Sequence, residues 1–407
     1  MRRLSPANLF AAAVLSTAAG CGQSEPAATA TDATAVAPQN VVRTAATPSE
    51  KADAPAATPV DESPEALIRE VTRLSATTLT QTAGAEAMGL QPAGEVSLTP
   101  ISNTAMAAAE RDRNSEIVQL SMEVIARTHD DPEKAQIFNN AVHYMTRAQV
   151  ELALTGDAES ERQLIKNAED LRQRDAQSFA AIESAAKVVD LAQRKAQQSG
   201  TADLAAAYAR QARLFAAQFA HEPNRAAVTL LAAGRWCDEQ GFARPAAECF
   251  QTLAADFPDS LFASQAAGAL RRVSLVGRPL SEFGGPTIDG GFVRPEHYKG
   301  RPLAIIFWSA TDETVPEAFA ALDAARGRNA DLAIIGVCLE DDERMAAMAV
   351  EQLPTCPQIY SAVPEERGSR NPLARHYGVE KTPLVWLVAA DGRVVSVNAK
   401  PQDAGRL

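Results

Sequence analysis

Aromatic side chains are scarce, 5% of the 407 residues. With alanine abundant, that scarcity favours helices packed through small side chains over a β-sandwich. Basic blocks and basic stripes are missing, and the formal net charge is −12. Both argue against nucleic acid as a partner. The five histidines, His129, His143, His221, His297 and His376, are scattered, and none has a His or Cys partner at ligand spacing. Neither a phosphate loop nor a G-x-S-x-G occurs. No metal or other cofactor is expected from such a chain. Its many carboxylates read as solvated helix faces rather than as a hydrolase. The length allows two or three domains, and 46% hydrophobic residues supply a core.

What is present begins with an export pattern. Arg2 and Arg3 precede a short apolar run over 9–15, too short to span a membrane. Ala18, Ala19 and Gly20 then stand directly before Cys21. Small residues followed by cysteine resemble the lipobox of bacterial lipoproteins, with Ala18 where leucine is usual. The resemblance implies a signal peptide over 1–20, acylation of Cys21, and a lipid-anchored protein on the periplasmic side of a bacterial envelope. The alternative is an ordinary cleavable signal with an incidental cysteine. Residues 21–62 are rich in Ala, Thr and Pro and have no aromatic residue. They read as a disordered tether, a coil spanning on the order of 35 Å.

Residues 63–275 carry helical periodicity. Leu67, Ile68, Val71 and Leu74 share one face, as do Ile117, Leu120, Val124 and Ile125. Asp131-Pro132 is a helix start and Gly156 a stop. Further faces carry Leu164, Ile165 and Leu171, then Phe179, Ile182 and Val189. Residues 80–102, with Gly84, Gly89, Pro92 and Gly94, read as a loop. Near 202–273 the turns around Pro223 and Pro258 are alike, and they lie 35 positions apart. That spacing resembles tetratricopeptide repeats, whose unit is about 34 residues. A plain helical bundle is the alternative. Stacked repeats would offer a concave binding face, whereas a bundle would be structural.

The character changes near Gly277-Arg278-Pro279. Strands are expected at 303–308, 332–339, 384–389 and 393–397, with helices at 315–328 and 341–352 and a hairpin signal at Asp391-Gly392. The fold class is therefore multidomain, α followed by α/β. Phe307-Trp308-Ser309-Ala310, Tyr377-Gly378-Val379 and Thr382-Pro383 occur in order. So do Gly285-Pro286-Thr287-Ile288-Asp289-Gly290, Tyr298-Lys299-Gly300-Arg301-Pro302 and Ile335-Gly336-Val337 with Glu340-Asp341. Together they resemble the TlpA-like and peroxiredoxin-like branch of the thioredoxin superfamily, over roughly 276–397 of a domain running 276–407. The resemblance implies a thioredoxin-like fold, a cis-proline at Pro383, and a groove at Trp308, Thr382 and Pro383 that holds an extended peptide. It also implies disulfide or peroxide chemistry by a thiolate at a helix start.

That thiolate is missing, since no cysteine lies between Phe307 and Cys338. Aligned without gaps, Asp312, Glu313, Thr314 and Val315 stand where the family has CxxC. Alternatively four residues are deleted and Pro316 matches a proline further down the helix. A peroxidatic cysteine would fall at Val315 or Pro316. Thr311 or Asp312 is placed to cap the helix. Cys338, at a strand end, reads as a small buried apolar residue, or else as a lone thiol. Cys356 is too distant from it to bond. Cys237 and Cys249 flank the turn at Gly241, as a structural disulfide or as two buried thiols. Only ten residues follow Val397, where the family usually has a closing helix. This end of the sheet is expected to be open, or covered by the helical region. The resulting expectation is a degenerate, redox-inactive domain that binds an envelope protein or an extended peptide. A thiol–disulfide oxidoreductase or peroxidase using Cys338 or a partner's cysteines is one alternative, and a repeat-based assembly scaffold is another.

Overall fold

Helix signals in the sequence become nine helices over the first half of what the computed structural model describes, residues 62–76 and 103–407. The signal peptide, Cys21, the tether up to residue 61 and the loop read at 80–102 lie outside the described residues. Helix α1 (Pro64–Ala76) buries Leu67, Val71 and Leu74, and α2 (Asn103–Thr128) buries Ile117 and Val124. Asp131 accepts from the Glu133 N–H at a short turn, Pro132–Lys134, that leads into α3 (Ala135–Leu154). Gly156, at φ 97°, follows its end. Asp157 caps α4 (Ala158–Arg174), and Ser178 caps α5 (Phe179–Ser199). Then come α6 (Ala202–Gln218), α7 (Pro223–Glu239), α8 (Ala243–Asp256) and α9 (Ala263–Val273).

The packing is built on small residues, as the composition implies. Ala205, Ala209, Ala212 and Ala216 of α6 and Ala226, Ala227 and Ala233 of α7 are buried. Where α7 meets α8, Gly234 leaves room for the Phe250 ring, which a Cβ would meet at 2.6 Å. Neighbouring helices pack in sequence, while α3 also meets α5 and α6 also meets α8. The spacing of Pro223 and Pro258 is not the structural period. Pro223 opens α7, whereas Pro258 lies in the turn before α9. The equivalent residues are Phe219 and Phe257, which end α6 and α8 with φ −121° and −129°. Ile165 and Phe179, read as core, are half exposed because their helices turn those faces outward.

One ionic junction ties α3, α5 and α7 together. Buried Glu183 takes His143 Nδ1 at 3.3 Å, Arg225 Nη2 at 2.8 Å and Lys187 Nζ at 3.6 Å. The His143 hydrogen bond, with Lys187 and Arg225, outweighs burial and holds the Glu183 carboxyl down at about 2. A depressed carboxyl stabilises the fold above its unfolded range and stops doing so as pH falls through about 5 to 2. The junction is therefore worth on the order of 3 kcal/mol near neutrality. Urea unfolding should show Glu183→Gln destabilised at pH 7, with the gap to wild type mostly closed by about pH 2. A pH-independent gap would contradict the assignment.

The α/β region begins with β1 (Gly285–Pro286), paired antiparallel to β2 (Phe292–Val293). Strands β3 (Leu303–Trp308), β4 (Ala333–Cys338), β5 (Gln358–Ile359), β6 (Leu384–Val388) and β7 (Val394–Ala399) form a sheet in the order β5-β4-β3-β6-β7. Strands β3, β4 and β5 run parallel, β6 runs antiparallel to its neighbour β3, and β7 runs antiparallel to β6. Helices α10 (Val315–Arg328), α11 (Glu343–Gln352) and α12 (Pro372–Tyr377) complete a thioredoxin-like α/β arrangement.

Strands β3, β4, β5 and β6 are buried on both faces, and alternation along the strands decides which residue goes where. Ala304, Ile306, Trp308, Ile334 and Leu387 pack with α10. Beneath them the turn Pro401–Arg406 inserts Ala404. Leu303, Ile305, Phe307, Ile335 and Trp386 belong to the same core as Phe215, Leu230, Phe250 and Val273 of the helical region. The helical region thus covers this face, and residues 62–407 form one compact unit. The link between the regions is itself part of the sheet edge. Gly277 N–H donates to the Val394 carbonyl (2.8 Å), and Val394 N–H donates to that of Arg278 (2.8 Å). Asn398 Nδ2 reaches the Asp238 carbonyl at the end of α7 (2.8 Å). At the opposite edge, Ile288 N–H donates to the Gln358 carbonyl (2.9 Å) and Tyr360 N–H to that of Pro286 (3.0 Å). Among the described residues, no helix is long and apolar enough to cross a membrane.

Candidate functional site

At the carboxyl end of β3 the first residue to place is Trp308. It was expected in a groove, but it is fully buried and packs edge-on against Phe319. Its indole N–H donates to Gln358 Oε1 at 2.9 Å, so the pleat turns the ring inward. Gln358 fits because Gly336 lies opposite it, where a Cβ would stand 1.7 Å from Oε1. Past Trp308 the chain is held by Glu340, a buried carboxylate that accepts from Ser309 Oγ (2.9 Å) and the Ala310 N–H (3.1 Å). Neither Glu340 nor Gln358 was singled out from sequence as a positioning group. The available signal was a polar residue beside or within an apolar strand.

The next residues build the site. Asp312 Oδ1 accepts from the Thr314 N–H (3.0 Å) and Thr314 Oγ1 (2.7 Å). Asp312 Oδ2 accepts from Thr382 Oγ1 at 3.1 Å. The Thr382-Pro383 bond is cis. Asp312 therefore joins the loop before α10 to the loop before β6. Capping is not its role. Thr314 occupies the cap position of α10 and makes no side-chain bond there, while Thr311 is exposed and pairs with Ser309. Glu313 points to solvent, and Val315 is buried with Phe319. Of residues 312–315, Asp312 alone meets Thr382 among the described contacts.

None of the described cysteines makes a hydrogen bond to Asp312 or Thr382. Cys338 is 1% exposed at the end of β4, in register with Trp308, and burial pushes its thiol up to about 12. Burial pushes Cys356 up to about 11. The two lie on opposite sides of the Gly336–Gln358 pair, about 13 Å apart along the strands at ~3.3 Å per residue. A disulfide needs Cα atoms within about 7 Å. Cys237 and Cys249 are free rather than bridged. Each sulfur rests on its own α6 carbonyl, Cys237 on Ala205 (3.8 Å) and Cys249 on Ala209 (3.9 Å). Burial pushes the Cys237 thiol up to about 12 and the Cys249 thiol beyond the ordinary range. Thiols so raised are almost wholly protonated and poor nucleophiles.

Residues 380–382, leading to Pro383, are partly or fully exposed. Their N–H and C=O groups make no main-chain hydrogen bond to another described residue. Behind them, a buried ion pair joins Arg272 of α9 to Asp238 of α7, and Arg272 Nη1 also donates to the Gly378 carbonyl (2.8 Å).

No family model matches this chain, and no curated protein matches it. Solved structures do show likeness over about a third of this chain. The thioredoxin domain of a Bacteroides vulgatus thiol-disulfide oxidoreductase is 18% identical, covering 32% of this chain and 93% of its own, with a TM-score of 0.28. A Bacteroides fragilis thiol-disulfide oxidoreductase is 20% identical over 31% of this chain and 93% of its own, with a TM-score of 0.28. A secreted Mycobacterium tuberculosis disulfide oxidoreductase homologous to E. coli DsbE is 17% identical over 29% and 84%, with a TM-score of 0.25. The thioredoxin-like assignment rests instead on the strand order and directions of this sheet.

Proposed function

We propose that this is a non-enzymatic, lipid-anchored envelope protein whose thioredoxin-like region binds an extended segment of a partner protein. One observation carries the reading. The Asp312 carboxylate, which falls at the family's attacking thiolate when the two are aligned without gaps, is engaged by Thr382 beside Pro383. Disulfide exchange needs a thiolate to attack sulfur, and a carboxylate does not substitute. What supports binding is the free main chain of residues 380–382, a short edge to which an extended segment can add as a strand. Cys21 would be the acylated residue that holds the protein at the membrane.

The full chain, rather than the C-terminal region, is the object to test, because the two regions share a core. It should neither reduce insulin nor remove peroxide above background. Turnover that disappears in Cys338→Ser or Cys356→Ser would overturn the non-enzymatic reading. Extended peptides captured from a library should be released by Thr382→Pro, which removes a main-chain N–H beside Pro383. Peptides held equally by that variant would place binding elsewhere.

A further inference from the structure

The loop that carries Pro383 is held from behind by the helical region. At its root, Arg271 Nε donates to the His376 carbonyl (2.7 Å) and Arg272 Nη1 to that of Gly378 (2.8 Å). Gly268 of α9 crosses Gly378 so closely that a Cβ on it would stand 2.8 Å from the Gly378 nitrogen. At its tip, two ion pairs face α7: Arg235 with Glu380, and Glu239 with Lys381. Arg235 and Glu239 stand one helical turn apart on the same face. The loop presents the opposite signs in matching order, Glu380 and then Lys381.

We propose that α7 is a built-in clamp that pre-orders this loop for its partner. The clamp ties back the two charged side chains, while the main chain of residues 380–382 makes no main-chain hydrogen bond to another described residue. A loop already ordered in the receiving conformation spares a partner the entropy of ordering it. Partner binding and integrity of the α7 contact are then coupled, and changes in the helical region reach the docking edge through these pairs. The purpose of the clamp rests on the docking reading, whereas its existence does not.

The test uses the full chain and needs no ligand. Amide ¹⁵N order parameters of residues 380–382 should be near the rigid value, about 0.85. In the double reversal Arg235→Glu with Glu239→Lys, like charges face each other, and the order parameters should fall below about 0.6. Adding Glu380→Arg and Lys381→Glu should restore them. Heat unfolding should barely change, because both pairs are partly exposed and the Arg272–Asp238 pair is untouched. If the reversal fails to fold, wild type in about 1 M salt, where the Debye length is about 3 Å, makes the same measurement. Wild-type order parameters in the reversal, or in high salt, would overturn the clamp. Peptides that bind no worse when the order parameters fall would overturn the coupling. A clamp that is present with no peptide bound at all would sink only the docking reading.

Discussion

Replacing Arg272 by alanine should destabilise the protein by about 3–5 kcal/mol, the cost of stranding a buried charge. Arg272 is 6% exposed and its partner Asp238 is 8% exposed. The alanine variant leaves the Asp238 carboxylate without its guanidinium and the Gly378 carbonyl without its donor. Burial already pushes the Asp238 carboxyl up, and Arg272 opposes that push. A carboxyl raised by folding binds its proton more tightly in the native state, so its ionisation opposes folding as pH rises. Without Arg272 this opposition grows. The gap between wild type and Arg272→Ala should therefore be widest at neutral and alkaline pH and narrow in acid. Denaturant titrations at pH 4 and pH 8 measure it, and a gap larger in acid would refute the assignment. Replacing both partners together, Arg272→Met with Asp238→Leu, should cost far less, because no charge is left alone in the core.

The second large effect concerns the boundary visible in the sequence. Cutting the chain near Gly277 and expressing residues 276–407 alone should give no cooperatively folded domain. The face bearing Leu303, Ile305, Phe307, Ile335 and Trp386 would lose the helical residues with which it shares a core. The 276–280 segment would also lose its anchor in α9. The isolated piece should bind a hydrophobic dye, lack a near-ultraviolet circular dichroism signal and show no sharp melting transition. A sharp transition would show that α12 and the β1–β2 hairpin cover that face well enough by themselves.

Much of the architecture was legible, and what stayed hidden shares a cause. The apolar run of β3 announces burial on both faces, and α10 falls on the residues expected for it. The missing thiol is a plain fact of composition. The identity of the layer over each face was not legible, because Ile305 and Ile306 read alike until long-range packing assigns one to each side. Trp308 was misplaced for a related reason. Its direction is fixed by Gln358, fifty positions away, and by the absence of a side chain at Gly336. Asp312 was correctly singled out but given the wrong task, since a short acidic side chain before a helix usually caps it. Here one oxygen, Oδ1, accepts from Thr314 just ahead of the helix, and the other, Oδ2, accepts from Thr382, seventy positions away.

The sheet edges carry one more consequence. A bare edge strand is a template on which other chains stack. Here β5 is bordered by β1, while β7 begins against the 276–280 segment and ends beside α7. The free main chain at 380–382 is three residues long and is closed by a proline with no N–H. Cross-β growth recruits segments of about six or seven residues without proline. A free stretch of that length is too short to seed fibrils, so among the described residues neither the sheet edges nor this loop offers such a template.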